Sequence, residues 1–367
     1  MSDLRTYIAK IHSGQRRSPL ALLLLLLLWP LSLLFRLIVA ARNFSYDHGI
    51  VKGRSLGCKV ISIGNLTTGG TGKTPVTILI AERLQKSKRV AILSRGYRSG
   101  NEHNSTILCG DELSVDAASK VGDELALMAS RLPSAWFAVG ADRYSAGVRL
   151  VKDKKIEIAV LEDGFQHRQI RCDCDIVLVD ASNPFGNGLL LPAGPLREGI
   201  RSLKRSHIVL LTRTESVDPL VVDKLQNRIA RIVASEKIFR LHTDVTAFHE
   251  LESRNAFPVA DRKVWLFSGI GNPESFEIQA VAGGVDVAGH TIFPDHHAYS
   301  ETDIAALNRI VSGGKADTLL TTAKDAVKLN VGAFLQGTCG VMEIGIDFVD
   351  REAIFWGIIA RSVGAEV

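Results

Sequence analysis

The sequence has 367 residues, 46% of them hydrophobic, and a formal net charge of +5 at pH 7. This length accommodates about two domains of ordinary size. Much of the positive charge flanks one apolar N-terminal segment, and aromatic residues do not interleave with basic ones, so the composition does not indicate a nucleic-acid-binding protein. Five scattered cysteines imply no disulfide framework, which fits a reducing compartment.

Residues 20–35 are uncharged and include seven consecutive leucines, Leu22–Leu28. As a helix this stretch is about 24 Å long, slightly less than the roughly 30 Å hydrocarbon core of a bilayer. Extension to Ala41 gives about 33 Å but includes Arg36, which can snorkel to an interface. A cleaved signal peptide, a buried core helix and a spanning or half-inserted membrane anchor are the alternatives. Basic residues on both sides leave the orientation open.

The stretch Lys59–Leu84 is typical of a phosphate-binding loop. The β-branched run Val60–Ile63 predicts a buried strand, a glycine-rich loop follows, and Lys73 and Thr74 open a helix. In this arrangement backbone N–H groups and the lysine hold phosphates, and the threonine hydroxyl reaches Mg²⁺. The strict G-x-x-x-x-G-K-[ST] pattern is not met, because Thr67 occupies its first glycine position. The alternative is a turn that merely joins a strand to a helix.

A phosphate-binding loop affects the interpretation of the N-terminal segment. A signal peptide would export the loop away from ATP, and nothing downstream is built to cover a helix that is apolar all round. We therefore favour the membrane anchor.

The next segments continue an alternating pattern. Residues 89–93 and 136–139 predict strands, and the polar residues 100–112 predict a loop. Asp123 and Glu124 precede a helical pattern over residues 125–132, where carboxylates are favoured as caps. Two adjacent acids near a phosphate site also suit a catalytic role.

The apolar residues 156–161 predict a strand that ends in Glu162 and Asp163. Carboxylates at this position, downstream of a phosphate loop, organise Mg²⁺ in related architectures. A solvated turn is the alternative. Residues 175–180 and 207–212 predict parallel strands, and the Pro/Gly-rich segment between them, residues 183–198, predicts a functional loop.

The pattern restarts near Arg231, with strands predicted at residues 263–267 and 318–322. We therefore expect an α/β protein: a P-loop NTPase-like, doubly wound, mainly parallel sheet plus a second, smaller α/β domain, with an N-terminal membrane-anchor helix. The expected units are an anchor (1–45), a P-loop domain (46–230), a second α/β domain that closes over the site (231–350), and a C-terminal helix (351–367) that packs back on the first domain.

Nine stretches in order resemble the tetraacyldisaccharide 4′-kinase family. They are GNLTTGGTGKTP, SRGYRS, VGDE, GADR, LEDGFQHR, NPFGNG…LPAGPLRE, FSGIGNPESF, FPDHHAYS and TTAKDAVKL, and they span residues 64–329. The resemblance implies transfer of the ATP γ-phosphate to the 4′-hydroxyl of a tetraacylated glucosamine disaccharide 1-phosphate in lipid A assembly. The substrate carries acyl chains, so the enzyme is expected at the cytoplasmic face of the inner membrane of a Gram-negative bacterium, with its catalytic body in the cytosol.

The resemblance also implies roles for individual residues. Asp123 is the general base, paired with His296 or, alternatively, His297, and Lys73 is the third catalytic group. The residues expected to bind the nucleotide are Thr68, Gly69, Gly70, Thr71, Gly72, Lys73 and Thr74. The expected Mg²⁺ ligands are Thr74, Glu124 and Glu162, with Asp163 in reserve because Glu162 stands where the family commonly has Asp.

Four further residues are expected at the substrate. Arg143 and His167 are candidates for the transferring phosphate or the substrate, and Arg197 and Glu198 for the sugar or its 1-phosphate. A purely structural ion-pair role is the alternative for all four. Lys324 and Asp325 are weaker candidates for contact with the adenine.

The expected cofactors are ATP and Mg²⁺, and the expected partners are the acylated disaccharide and the membrane surface, with no nucleic acid and no obligate protein partner. The rival functions are a membrane-tethered P-loop ATPase or GTPase, a nucleotide-binding scaffold without turnover, and a kinase for another lipid or sugar hydroxyl.

Overall fold

The computed structural model describes residues 7–8, 10–15, 18–96, 106–112, 122–335 and 337–364. Parts of the SRGYRS and VGDE stretches therefore lie outside the described residues. The helices of the described chain are α1 (Pro19–Asp47), α2 (Lys73–Leu84), α3 (Asp123–Arg131), α4 (Arg143–Lys154), α5 (Pro219–Ala230), α6 (Pro273–Ala282), α7 (Glu301–Ser312), α8 (Ala323–Ala326) and α9 (Glu352–Val363).

The strands form one sheet in the order β10-β9-β11-β12-β8-β7-β6-β1-β5-β2-β4-β3. All neighbours are parallel except β3–β4 and β8–β12. The strands are β1 (Lys59–Asn65), β2 (Val90–Ser94), β3 (Thr106–Cys109), β4 (Trp136–Val139), β5 (Ile158–Glu162), β6 (Cys174–Asp180), β7 (Ile208–Thr212), β8 (Ile238–Glu250), β9 (Lys263–Ser268), β10 (Asp286–Ile292), β11 (Thr318–Thr322) and β12 (Cys339–Phe348).

The central strands are buried on both sides. The side chains of Ile61 and Ile63 join a core under α2 and α3, and Phe355 and Ile359 of α9 belong to the same core. Separate clusters cover the opposite face and fill the half of the sheet that contains β9–β12. A mainly parallel sheet buried on both faces is the α/β architecture predicted from the alternating sequence pattern.

The sheet runs without a break across the expected domain boundary, because β7 pairs with β8 through Val209 and Ile238. The division at residue 230 stays a prediction.

The chain between residues 106 and 112 differs from the loop expected there. Thr106–Cys109 form an edge strand antiparallel to β4, and a short 3₁₀ turn follows. Four residues are too few to show a strand periodicity in the sequence. The strand forms because these residues pair with β4.

Candidate active site

The phosphate loop, residues 66–72, joins the end of β1 to the start of α2. Gly72 occupies the N-cap position of α2 with φ +83°, a left-handed conformation that favours glycine, and no side chain caps the helix. The first N–H groups of α2 thus lack a side-chain acceptor and are suited to phosphate oxygens. The loop is held in place from outside, because the Thr68 N–H donates to the Pro195 carbonyl at 2.8 Å and Thr212 Oγ1 donates to the Thr71 carbonyl at 3.1 Å.

Lys73 lies at the mouth of this loop. Its Nζ is 3.4 Å from Asn65 Oδ1 and 3.5 Å from Asp163 Oδ1. The structure thus brings the predicted lysine to one of the two predicted strand-end carboxylates. Asn65 is fully buried at the end of β1 and was not singled out from the sequence, since one asparagine after a strand has no distinctive pattern.

Glu162 and Asp163 follow each other at the carboxyl end of β5. Glu162 accepts a hydrogen bond from Ser94 Oγ at 3.0 Å, and burial together with the Asp163 charge raises the pKa of Glu162. Burial also acts to raise the pKa of Asp163, but Lys73 and Arg197 outweigh it and hold that pKa below its ordinary value. Arg197 Nη1 donates to Asp163 Oδ2 at 2.7 Å.

These carboxylates fit Mg²⁺. Asp163 Oδ1 is buried and accepts no hydrogen bond, and a hard oxygen of this kind is a suitable ligand. Within the described part of the chain, no group of three or more His, Cys, Asp and Glu side chains is arranged to hold a metal. Mg²⁺ usually takes only one or two protein carboxylates and completes its coordination with phosphate oxygens and water. Thr74, the second residue of α2, follows Lys73 and is half-buried.

A second cluster surrounds Asp123, the first residue of α3. His296 Nδ1 lies 3.0 Å from Asp123 Oδ2, and Lys328 Nζ lies 3.4 Å from the same oxygen. Burial acts to raise the pKa of Asp123, but the hydrogen bond to His296 and the Lys328 charge hold it below the ordinary value. Of the two histidines considered, His296 therefore contacts Asp123. His297 instead lies 3.0 Å from Asp303, which belongs to the capping box of α7.

Glu124 connects the two clusters electrostatically. Its carboxylate lies 2.8 Å from Lys324 Nζ, which, against the effect of burial, keeps the pKa of Glu124 below its ordinary value. The same carboxylate contributes to the raised pKa of Glu162. The structure thus places Lys324 against a predicted metal ligand.

Two of the four predicted substrate residues, Arg143 and Arg197, contact Glu162 or Asp163, and His167 lies near Arg143. Arg143 Nη1 donates to the Glu162 carbonyl at 3.0 Å, and Arg197 contacts Asp163 as described above. His167 is half-buried near Arg143, and burial, with that positive charge, lowers its pKa to about 4. Its Nε2 is buried without a hydrogen-bond partner.

Glu198 lies elsewhere. Its side chain is fully buried, with Oε1 2.7 Å from Arg42 and Oε2 3.0 Å from both Asn43 Nδ2 and Arg205. Both carboxylate oxygens are engaged, and no surface is left for a sugar hydroxyl. We infer that Glu198 holds α1 on the body of the protein and does not contact substrate.

The family described as Tetraacyldisaccharide-1-P 4′-kinase matches residues 24–362 of the chain. A tetraacyldisaccharide 4′-kinase from Pelobacter propionicus is 37% identical over 334 residues, which cover 89% of this chain and 90% of the relative. The chain belongs to the tetraacyldisaccharide 4′-kinase family. A further member, from Halothermothrix orenii, is 30% identical over 360 residues and 94% of each chain.

A solved structure supports the same assignment. LpxK from Aquifex aeolicus in complex with ATP matches with a TM-score of 0.76 at 30% identity, over 93% of this chain and 99% of that chain. The predicted resemblance, the mainly parallel P-loop fold, the kinase activity and the use of ATP with Mg²⁺ are confirmed. The roles of individual residues stay predictions.

Proposed function

We propose that this family member transfers the γ-phosphate of ATP to the 4′-hydroxyl of tetraacyldisaccharide 1-phosphate, with Asp123 as general base and His296 as its partner. The observation that carries the proposal is the 3.0 Å contact between Asp123 and His296. These residues are far apart in the sequence, and they meet next to Glu124, whose charge acts on Glu162, as does that of the phosphate-loop lysine Lys73.

Phosphoryl transfer depends mainly on positioning and charge neutralisation. Lys73 and the loop amides hold the β- and γ-phosphates. Asp123 accepts the proton of the 4′-hydroxyl while that oxygen bonds to the γ-phosphorus, and the bond from phosphorus to the ADP oxygen breaks. Such proton transfer contributes about 10²–10⁴-fold. When bound, Mg²⁺ neutralises charge on the phosphate oxygens. Glu162, Asp163 and Thr74 would hold it, with Glu124 through water.

Arg143 and Arg197 both contact Asp163, and His167 lies near Arg143. Two guanidinium groups here suit a phosphate or a sugar oxygen, since Arg donates in a fixed fork. We assign these three residues to the acceptor and the transferring phosphate. Arg197 would then exchange or share its present contact with Asp163.

The apolar helix α1 lies against one loop of the catalytic body. Before the helix, the His12 carbonyl accepts the Asn187 N–H at 2.7 Å. In mid-helix, Ser32 Oγ donates to the Leu190 carbonyl at 3.0 Å, and near its end Arg42 pairs with Glu198. A single helix that crossed the bilayer would have its two ends on opposite sides of the membrane, where they could not both contact one loop.

We therefore infer that α1 enters one leaflet and does not span. The helix is long and apolar enough to span a membrane. Only 6% of its most apolar stretch is buried in the protein, so most of that stretch can contact lipid. The buried positions, Ala21, Ser32 and Val39, form one narrow stripe, and most leucine side chains are exposed. Because ATP is cytosolic, we place the body at the cytoplasmic face of the inner membrane.

Incubation with γ-labelled ATP, Mg²⁺ and tetraacyldisaccharide 1-phosphate in detergent tests the function. We expect label on the disaccharide at the 4′-position. Hydrolysis that is equally fast without the lipid would indicate an ATPase, and binding without product would indicate a scaffold. Label on other lipids of a total extract, but not on the disaccharide, would indicate a different lipid kinase.

A further inference from the structure

Two residues that the proposed mechanism does not use lie directly behind Asp123. Asp325, in the short helix α8, is fully buried. Its Oδ2 accepts hydrogen bonds from the Gly269 N–H at 3.1 Å and from Thr322 Oγ1 at 2.8 Å, and its Oδ1 lies 2.8 Å from Lys328 Nζ. The Lys328 ammonium group thus lies between two carboxylates, the buried one of Asp325 and that of Asp123, which is 3.4 Å away.

The contacts of Lys328 and His296 fix the rotation of the Asp123 carboxylate. Both reach the same oxygen, Oδ2, from the half of the sheet that contains β9–β12. With His296 at hydrogen-bond distance from Oδ2 and the Lys328 charge beside it, Oδ1 is the oxygen left for an acceptor hydroxyl. Geometry of this kind decides how often the proton acceptor and the hydroxyl are aligned.

Asp325 acts on His296 as well. It binds the Gly269 N–H, and the Gly269 carbonyl accepts the His296 N–H at 3.0 Å. His296 has φ +62°, a backbone conformation that is uncommon for residues other than glycine and has to be held by its surroundings. A side chain at position 269 would lie 3.1 Å from His297 Cβ and 3.2 Å from Asp325 Oδ1, so the glycine permits this approach.

We propose that Asp325 and Lys328 are positioning residues for the kinase reaction. Asp325 holds Lys328, which orients Asp123, and through Gly269 it also holds the backbone of His296. Stability alone is a weak reason for this arrangement, because a buried ion pair gains little over apolar residues of similar size. The inference rests on the proposed role of Asp123 as the base.

The test compares Lys328→Met, Lys328→Arg and Asp325→Asn in the full-length enzyme, with Lys315→Met on the exposed loop after α7 as the matched control. We expect Lys328→Met and Asp325→Asn to lower kcat about 10- to 100-fold while the KM values for ATP and lipid change less than about threefold. Lys328→Arg, which keeps the cation, should recover most of kcat. Lys315→Met should match the wild type.

A double-mutant cycle separates positioning from a general structural effect. In the Asp123→Ala background, Lys328→Met should cause no further loss, because residues that act as one unit are not additive. An unchanged kcat in Lys328→Met, or an equal further loss in the Asp123→Ala background, would overturn the proposal. If Lys328→Met does not fold, Asp325→Asn decides by the same criteria. Full turnover in Asp123→Ala would instead reject the proposed base, which distinguishes the two failures.

Discussion

Asp123 is the residue whose removal tests the proton transfer most directly. We expect Asp123→Ala to lower kcat at least about 100-fold, because the base that accepts the hydroxyl proton is lost. ATP affinity should stay nearly unchanged, since Lys73 and the loop amides bind the phosphates. Steady-state kinetics and an ATP titration measure the two effects. Asp153→Ala, on the exposed side of α4, is the control. Turnover close to that of the wild type would remove Asp123 from the mechanism.

His167 predicts a dependence of stability on pH. Its pKa is lowered from 6.5 to about 4 in the folded state, so the unfolded chain takes up a proton at higher pH than the native protein does. The contribution of His167 to stability must therefore fall as the pH decreases from about 6.5 to about 4. We expect His167→Gln to show a smaller decrease in Tm over this window.

The comparison uses thermal melts of wild type, His167→Gln and His48→Gln between pH 7 and pH 4. His48 is exposed at the end of α1, and its replacement should leave the slope of Tm against pH as in the wild type. Identical slopes for all three proteins would show that His167 is not protonated differently in the two states.

One group of residues has the hydrogen-bond connectivity of a catalytic triad but is not accessible to a substrate. Ser268 Oγ lies 2.9 Å from His290 Nε2, and His290 Nδ1 lies 3.0 Å from Glu277. This is the connectivity of a nucleophile, a base and an orienting carboxylate. Ser268 is fully buried, however, so a substrate carbonyl cannot reach its hydroxyl. The contacts instead join β9, β10 and α6.

The sequence predicted the site residues that belong to local motifs and missed those that depend on tertiary contacts. Lys73 and Gly72 follow from a strand, a glycine loop and a helix start. Neither spacing nor residue type could separate His296 from His297, since only the turn after β10 decides which ring reaches Asp123. Asp325 and Lys328 belong to the TTAKDAVKL stretch, and Asp325 was expected at the adenine, but their contacts with Gly269 and Asp123 depend on tertiary packing around α8 that the sequence does not display.

At the level of secondary structure, the docking of α1 depends on Glu198. We expect Glu198→Gln to destabilise the protein by roughly 1–3 kcal/mol, since the charge-assisted hydrogen bonds to Arg42 and Arg205 are lost while both arginines stay partly exposed to water. Urea unfolding in detergent measures the change. Glu274→Gln, at the exposed start of α6, is the control and should change stability by less than about 0.5 kcal/mol. Equal unfolding midpoints for both variants would contradict the structural role of Glu198.

Strands with simple apolar runs were predictable, and strands defined by distant partners were not. β5, β6 and β7 are continuous hydrophobic segments buried in parallel pairs. β8 and β12 are long and contain polar residues at exposed positions. They pair antiparallel with each other from Leu241 with Phe348 to Glu250 with Gly340, so paired residues are at least ninety positions apart in the sequence. Register between such strands is set by tertiary packing, which a single sequence does not display.

For the whole molecule, we expect deletion of residues 1–41 to retain nucleotide binding and to weaken phosphorylation of substrate in membranes. The phosphate loop and its contacts with Asn65, Asp163 and Thr212 remain in the shortened chain. Activity on substrate in vesicles, compared with activity on detergent-dispersed substrate, measures the effect. Equal activity on vesicles with and without the segment would contradict a role of α1 at the bilayer.

The contacts of His12 and Arg42 with the same loop have a practical consequence for topology experiments. Because α1 enters one leaflet without spanning, both chain ends should lie on the same side of the membrane. A reporter fused before residue 7 should therefore share the compartment of one fused at the C-terminus. A protease added to the medium should remove both reporters from inverted inner-membrane vesicles and neither from intact spheroplasts.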